Sequence, residues 1–312
     1  MKRYIAGLAC AATAALSVPA LASTAHAQAA DPVTALKSKL GSGQGVTFVD
    51  KTKIYTAGKS AVIVDRTGTL QFGPSGIVAS DQTGKLRLSE KDLKELNDAL
   101  AEADQEDQDD AAFIRAFAGL AKPERVVRIG RTSYISGGFF GEFLPAGKTW
   151  LRFPGDSLGI MGSMTQSVNA AEPETLKALL AHATTKRTGF YSGKITYGEL
   201  FKVSPWLRAS LSGERPGALS KTAVNWKLYV GADQLPQRLT TTYVAYPDKT
   251  VTTYDTTYSG WGSKVSIKAP APETVAKPQE LQLTKPEAQI PIIRSGVDAL
   301  ANRSTPATSR GR

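Results

Sequence analysis

The sequence predicts an antiparallel α+β domain, and three observations support this prediction. Short runs rich in β-branched and aromatic residues, separated by Gly and Pro turns, recur between residues 45 and 267. Stretches with apolar residues at helical spacing interrupt these runs in only a few places. No regular alternation of strands and helices is present, so a parallel sheet is not indicated.

The first predicted helix spans residues 31–40. Asp31 can cap it, Pro32 suits the first helical position, and the apolar side chains of Val33, Leu36 and Leu40 share one face. Strands are then predicted at residues 46–55, 60–65, 69–72 and 76–80, each bounded by turn residues.

Two helices are predicted next. Ser89 and Asp92 have the spacing of a capping box. The residues that then recur at helical spacing are Leu93, Leu96, Leu100 and Ala103. A second helix can begin at Asp109 and Asp110, with an apolar face of Phe113, Ile114, Phe117 and Leu120. The acidic stretch 102–110 lacks the glycine and the closing glutamate of a calcium loop, so we predict a solvated connector there.

The rest of the domain is predicted to be mainly strands. They fall at residues 126–129, 132–136 and 149–153, and after a helix at 172–184 they continue at 194–201, 224–230, 238–246, 251–258 and 264–267. Turn residues at 231–236 and 247–249 separate the later strands, as expected for an antiparallel meander.

The first 27 residues are predicted to be a signal peptide. Lys2 and Arg3 precede an uncharged stretch, and small residues flank the cleavage site between Ala27 and Gln28. Cys10, the single cysteine, lacks the branched aliphatic residue that a lipobox places three positions before it, since Gly7 stands there. We therefore expect an extracytoplasmic protein, secreted or in the cell envelope, that is not lipid-anchored. An uncleaved anchor is the alternative.

Three parts of the chain are thus predicted: the signal peptide 1–27, a single domain 28–268 and a tail 269–312. The tail contains six prolines and no aromatic residue, which is typical of a disordered or extended segment. Without the signal peptide, no cysteine remains for a disulfide or a Cys-based metal site.

Positive charge is concentrated in the second half of the domain. Residues 186–268 contain 12 Lys and Arg but only 5 Asp and Glu, within a chain of formal net charge +10. This excess favours an anionic membrane or an anionic wall polymer as a partner, with an ordinary solubilising surface as the alternative. Nucleic acid is an improbable partner for an exported chain.

The sequence offers little catalytic chemistry. The single histidine after the signal peptide, His182, lies near the end of a predicted helix, and no Gly-x-Ser-x-Gly elbow or Ser-x-x-Lys motif is present. One imidazole cannot form a His-rich zinc site, and glycine-rich phosphate loops are absent. We therefore predict no enzymatic activity, cofactor or metal, although a spatial pair of carboxylates would escape detection.

The most unusual part of the chain is residues 136–164, where seven glycines alternate with large apolar residues. This composition is too glycine-rich for a stable helix and too apolar for an ordinary exposed loop. Met and Phe on a pliable backbone suit a surface that repacks around apolar ligands. The predicted cavity or mouth residues are Phe139, Phe140, Phe143, Leu144, Trp150, Met161 and Met164. A loop that plugs the core is the alternative.

Three segments carry a resemblance to a known family: residues 70–76, residues 134–150, and the strand 226–230, which leads on through residues 235–238 to residues 258–262. Over about residues 31–272 the chain resembles the LolA-like fold, and more specifically the actinobacterial envelope proteins related to the LppX and LprG lipoproteins. The resemblance implies a strongly curved antiparallel half-barrel that wraps helices and leaves an apolar cavity for acyl chains. The missing lipobox and the proline-rich tail depart from that family.

These observations lead to one main functional hypothesis. The protein is expected to be a non-enzymatic carrier or sensor that binds an acyl-chain-bearing or other hydrophobic ligand. If Phe140 and Phe143 line a cavity that is empty in the free protein, their replacement by serine should weaken ligand binding more than it lowers stability. Two alternatives remain: a wall- or partner-binding module that uses its basic surface and tail, and an unrecognised hydrolase.

Overall fold

The structure is a computed structural model that describes residues 31–56, 59–106, 114–116, 118–153, 155–244 and 250–282. The predicted signal peptide, with its cleavage site between Ala27 and Gln28, and the tail beyond residue 282 lie outside the described residues. Within the described ranges, no helix is both long enough and apolar enough to cross a membrane.

One open sheet of twelve strands forms the framework of the domain. The strands are β1 (Gln44–Thr56), β2 (Lys59–Gly73), β3 (Gly76–Leu86), β4 (Glu124–Ile129), β5 (Thr132–Gly137), β6 (Trp150–Phe153), β7 (Ala183–Arg187), β8 (Phe190–Thr196), β9 (Ala223–Val230), β10 (Pro236–Val244), β11 (Val251–Lys264) and β12 (Val275–Ala276). Their order is β12-β6-β5-β4-β3-β2-β1-β11-β10-β9-β8-β7. All pairs are antiparallel except β12 with β6.

Few helices accompany the sheet in the described part of the chain. They are α1 (Pro32–Lys37), α2 (Glu90–Glu106), α3 (Gly159–Ser163), α4 (Pro173–Ala181), α5 (Tyr197–Val203) and α6 (Pro205–Ser210). A 3-10 helix spans Phe139–Phe143, and residues 114–116 and 118–119 are also helical. As predicted, Asp31 caps α1, since its side chain accepts hydrogen bonds from the N–H groups of Val33 and Thr34.

The inner face of the sheet is the face that packs against α4, α5 and α6. Alternating side chains of β9 show the period of a half-buried strand, because Val224, Trp226 and Leu228 are buried whereas Lys227 and Tyr229 are exposed. The buried side chains contact helical residues such as Leu176 and Leu207 in a common core, which we call the inner cluster. The residues of the opposite, outer face are mostly polar.

The structure contains two helices, α5 and α6, that were not predicted from the sequence. Both begin at a capping residue. The predicted strand 194–201 ends at Thr196, where α5 begins. The Thr196 hydroxyl accepts the Glu199 N–H, and the Glu199 carboxylate accepts the Thr196 N–H, which is a capping box. Helix α6 was not predicted, although Ser204 caps it and Pro205 occupies its first position.

Other differences concern boundaries. The predicted strands 60–65 and 69–72 form one continuous strand, β2, and the predicted helix 172–184 ends at residue 181, after which β7 begins. The predicted strand 264–267 does not form: Lys264 is the last residue of β11, and residues 265–267 are not in a strand. Residues 102–106 of the predicted acidic connector belong to α2, and residues 107–113 lie outside the described residues.

The first part of the predicted tail packs on the domain. Ala276 is fully buried in β12, beside β6, and Leu281 packs against apolar residues near the sheet edge. The Gln282 N–H donates to the Phe143 carbonyl at 2.9 Å. The packed domain therefore extends to residue 282, past the predicted boundary at residue 268.

Candidate ligand-binding site

A buried polar network closes part of the inner face, around Arg66 and Asp50. Arg66 on β2 forms a buried ion pair with Asp50 on β1, with its Nε 3.0 Å from the carboxylate. The guanidinium also donates to Gln82 and to the carbonyl of Gln166. Burial of a charged pair is tolerated only when its hydrogen-bonding groups are satisfied in this way.

The segment 165–172 fills the space above these strands. It has many polar residues and yet is buried throughout, because its polar groups bond to the surrounding fold. The Gln166 carbonyl accepts from the Trp206 indole N–H at 3.1 Å, and the Gln166 side chain accepts from the Thr241 hydroxyl at 2.8 Å. Glu172 accepts from the Ser204 hydroxyl and from the Trp206 N–H at 2.6 and 2.7 Å.

Between this segment and the sheet lies a void of about 10 Å³, lined by Phe48, Arg66, Gln166, Val168, Asn169, Trp206, Thr256 and Tyr258. That volume corresponds to roughly one water molecule. Pockets that bind small molecules typically measure about 300 to 1,000 Å³. This part of the inner face therefore has no room for an acyl chain.

A second apolar core, which we call the edge cluster, lies towards β4, β5 and β6. Its buried residues come from the strands, from α3, from the 3-10 helix and from the helical residues before β4. They are Val64, Leu86, Ala116, Leu120, Val126, Ile135, Phe139, Phe140, Phe143, Leu151, Ile160 and Met161. The three phenylalanine rings are in mutual contact, with centroids 5.6 Å apart for Phe139 and Phe140 and 5.4 Å apart for Phe139 and Phe143.

Two glycines allow the chain to turn from β5 into the edge cluster. Gly137 and Gly138 both have positive φ, and they connect the end of β5 to the 3-10 helix that carries the three phenylalanines. A Cβ atom on Gly138 would lie 2.8 Å from the Cβ of Glu124, which is too close for any other residue. The segment predicted to be too glycine-rich for a stable helix contains two short helical pieces, the 3-10 helix and α3.

Glu124 is the main polar group within the edge cluster. Its carboxylate accepts hydrogen bonds from the backbone N–H groups of Ile160 and Met161, at 3.3 and 2.8 Å. None of the described basic side chains forms an ion pair with it. Burial therefore raises the pKa of this carboxyl from 4.5 to about 7, and the two backbone hydrogen bonds oppose the shift.

The edge cluster is not fully covered by the described residues. Six apolar side chains at its border are only partly buried: Ile63, Leu88, Leu144, Phe153, Met164 and Leu281. Helix α2 follows Leu88 closely in the chain, and each of its described side chains is exposed, including Leu93 at 38%. Of the apolar residues that the sequence places on one face of this helix, Leu93 is the one whose side chain is described, and it is exposed.

The predicted ligand-binding residues divide into three groups. Phe139, Phe140, Phe143 and Met161 are buried in the edge cluster, and Leu144 and Met164 lie at its border. Trp150 does not join them, because on β6 the neighbouring Leu151 faces the cluster and Trp150 faces the outer side. There Arg125 lies over its ring, 5.5 Å from the centroid.

Sequence reasoning missed Glu124 and the pair of Asp50 and Arg66. The pair could have been found from strand periodicity. Asp50 lies on the same face of β1 as the apolar Val46 and Phe48. Arg66 likewise lies on the same face of β2 as Val64 and Leu70. Opposite charges at inward positions of adjacent strands indicate a buried pair. No comparable signal identifies Glu124, whose burial depends on residues 138 and 159–161, which are distant in sequence.

Glu124 leads to a prediction about pH. Because its pKa is higher in the folded protein than in the unfolded chain, the contribution of this carboxyl to stability is greatest below about pH 4.5 and is lost as the pH rises to about 7. The expected loss from this group is about 3 kcal/mol. Urea unfolding of the protein and of Glu124→Gln across pH 4 to 8 measures it. The difference in the free energy of unfolding between the two proteins should change between about pH 4.5 and 7. A difference that stays constant over this range would contradict the prediction.

His182 occupies the C-terminal cap of α4. Its Nε2 lies 3.7 Å from the Glu199 carboxylate, and both side chains are about two-fifths exposed. This arrangement is a surface ion pair when the imidazole is protonated. Within the described ranges, no group of three or more His, Cys, Asp or Glu side chains could hold a metal ion.

No family model and no curated protein matches the sequence. Among solved structures, a hypothetical protein from Chlamydia trachomatis is 12% identical, with a TM-score of 0.30, and the match covers 78% of this chain and 98% of that one. A LolA superfamily protein from Nitrosomonas europaea is 5% identical, with a TM-score of 0.26 and coverage of 73% and 90%.

A third similar structure, from Vibrio parahaemolyticus, is a domain proposed to be an outer membrane lipoprotein-sorting protein. It is 6% identical, with a TM-score of 0.26 and coverage of 73% and 90%. All three TM-scores are below 0.5. The architecture of this chain is therefore established by its own strand order and register, which define a large, mainly antiparallel open sheet with few helices.

Proposed function

We propose that this protein is a non-enzymatic carrier or sensor, located outside the cytoplasm, that binds an acyl-chain-bearing ligand at the border of the edge cluster. The sheet would act as a LolA-like half-barrel of the kind that the sequence resembles. The observation that supports the proposal is the contrast between the two cores. The buried segment 165–172 covers the sheet at Arg66 and Thr241, whereas the edge cluster has a border of partly exposed apolar side chains.

The proposed ligand lies along this border. Leu144 and Met164 would contact the acyl chain, and the buried phenylalanine rings beneath them would form the floor of the site. Leu93 on α2, five residues after the border residue Leu88, is an exposed apolar side chain. Apolar contacts of this kind contribute about 25 cal/mol per Å² buried and select for length and shape more than for chemical detail.

The proposal also includes export and the absence of catalysis. The predicted signal peptide supports a location in the envelope or outside the cell. The basic half of the domain could attract a ligand with an anionic headgroup. No catalytic role is assigned to His182, because its described interactions are those of a helix cap and a surface ion pair.

Titration of the protein with a fluorescent fatty acid tests the proposal. Leu144→Ser and Met164→Ser should each weaken binding by about 1 to 1.4 kcal/mol, or roughly five- to tenfold, because a half-buried side chain provides part of the apolar contact. Their free energy of unfolding should change by less than their binding does. Urea unfolding of the same variants measures this second quantity.

Leu219→Ser is the matched control, since Leu219 is 48% exposed and lies outside the edge cluster. It should bind the fatty acid like the unmodified protein. Failure of the unmodified protein to bind any acyl chain would contradict the proposal. The proposal would also be contradicted if Leu144→Ser, Met164→Ser and Leu219→Ser all bound the fatty acid with the affinity of the unmodified protein.

A further inference from the structure

A row of four side chains crosses the outer face of the sheet between β7 and β10. Arg187 is in register with Phe190, Phe190 with Tyr229, and Tyr229 with Arg238. The row thus has two aromatic rings at its centre and a guanidinium group at each end. Adjacent strands are about 4.8 Å apart, so the row spans roughly 14 Å.

The rings in this row are accessible. Tyr229 is 40% exposed between the buried Leu228 and Val230, and Phe190 is half-buried. Their centroids lie 5.1 Å apart at an interplanar angle of 56°. A lone exposed aromatic residue is common on protein surfaces, but an exposed ring beside a half-buried one forms a platform that a ligand can cover.

The platform has an excess of positive charge. Lys227 is two residues before Tyr229 on the same face of β9, and Lys194 lies on the same face of β8; both are exposed. Neither lysine, nor Arg187, forms an ion pair with a described acidic residue. Arg238 forms an ion pair with Asp255, and this pair neutralises the Asp255 carboxylate on the same face.

The chemistry of the platform indicates its partner. Sugar rings present C–H faces that stack on aromatic side chains, and carboxylate or sulfate groups along a polymer can pair with Arg and Lys. The neighbouring outward side chains are the polar Ser192, Asn225 and Thr240. A membrane surface would instead favour a projecting apolar segment that can enter the lipid.

We propose that the row Arg187-Phe190-Tyr229-Arg238, with Lys227 and Lys194, binds an extended anionic polysaccharide across strands β7 to β10. This platform is on the outer face of the sheet, whereas the proposed acyl-chain site is on the inner face. The two proposals are therefore independent, and each can fail without the other.

Isothermal titration with hyaluronan, a polysaccharide with regularly spaced carboxylates, tests this proposal. The protein should bind hyaluronan, and it should bind neutral dextran and sugar-free poly-L-glutamate more weakly. The double variant Phe190→Ala and Tyr229→Ala should lose about tenfold or more in affinity. Arg187→Gln and Lys227→Gln should each lose severalfold at low salt and less at high salt, since salt screens exposed charges.

Two matched controls lie elsewhere on the surface. Tyr55→Ala removes another exposed aromatic residue, 41% exposed on β1, and Arg131→Gln removes an exposed cation in the turn after β4. Both should bind hyaluronan like the unmodified protein. Because Arg187 and Lys227 are exposed, their variants still test the site if the double aromatic variant does not fold.

Three results would overturn the proposal. The first is no binding of hyaluronan by the unmodified protein. The second is equal binding of poly-L-glutamate that the aromatic replacements do not affect, which would show a merely basic surface. The third is binding of anionic phospholipid vesicles, but not of hyaluronan, with the same dependence on Phe190 and Tyr229, which would identify a membrane as the partner.

Discussion

Replacement of Arg66 by leucine is expected to lower the free energy of unfolding by about 3 to 5 kcal/mol, because the Asp50 carboxylate would remain buried without its cation. Arg66 is 2% exposed, and it also loses hydrogen bonds to Gln82 and Gln166 in this variant. Urea unfolding at pH 7 measures the change. A loss below about 1 kcal/mol would show that the pair is not buried as described.

Two further variants make this test specific. Arg125→Leu breaks a similar pair with Asp81 on the outer face, where the Arg125 side chain is 51% exposed, and should cost less than about 1 kcal/mol. The double variant Asp50→Asn with Arg66→Leu removes both charges. It should recover part of the stability that Arg66→Leu loses, because no unpaired charge then remains buried.

Replacement of Phe143 by alanine is the second change with a large expected effect. Phe143 is 5% exposed and packs against the ring of Phe139 within the edge cluster. Truncation of a packed core aromatic residue costs about 3 to 5 kcal/mol. The structure thus predicts a large loss of stability, whereas a residue lining an empty cavity would lose mainly ligand affinity.

The exposed aromatic Tyr55 provides the control, since Tyr55→Ala should change the free energy of unfolding by less than about 0.5 kcal/mol. Urea melts of both variants decide the question. If Phe143→Ala proves nearly as stable as the unmodified protein while its affinity for a fluorescent fatty acid falls, the ring contacts the ligand directly. The acyl chain would then lie deeper in the edge cluster than the border residues.

Sequence periodicity was sufficient to predict an antiparallel domain and most of its strands. The alternation of buried and exposed residues in β9, for example, is visible directly in residues 223–230. It failed where short-range hydrogen bonding outweighs the pattern. Residues 197–201 look like the continuation of a strand, yet the capping box of Thr196 and Glu199 starts a helix there.

The candidate site was harder to predict because its members depend on contacts that are distant in sequence. The glycine-rich segment and its phenylalanines could be singled out by composition, but the face on which Trp150 lies depends on the register of β6 with β5. The burial of residues 165–172 could not be predicted either, since a polar segment is buried only when partners such as Trp206 and Thr241 are in place.

The strand order has a consequence for how the chain can fold. Near the centre of the sheet, β1 pairs with β11, and the hydrogen bond from the Thr47 hydroxyl to the Ser259 carbonyl connects residues 212 positions apart. Until β11 is available, β1 has an open edge and half of the inner cluster is missing. Such non-local pairing slows folding and prevents the first half of the chain from completing its core alone. A chain of this topology can complete the inner cluster only after β11, which ends at Lys264, has been synthesised.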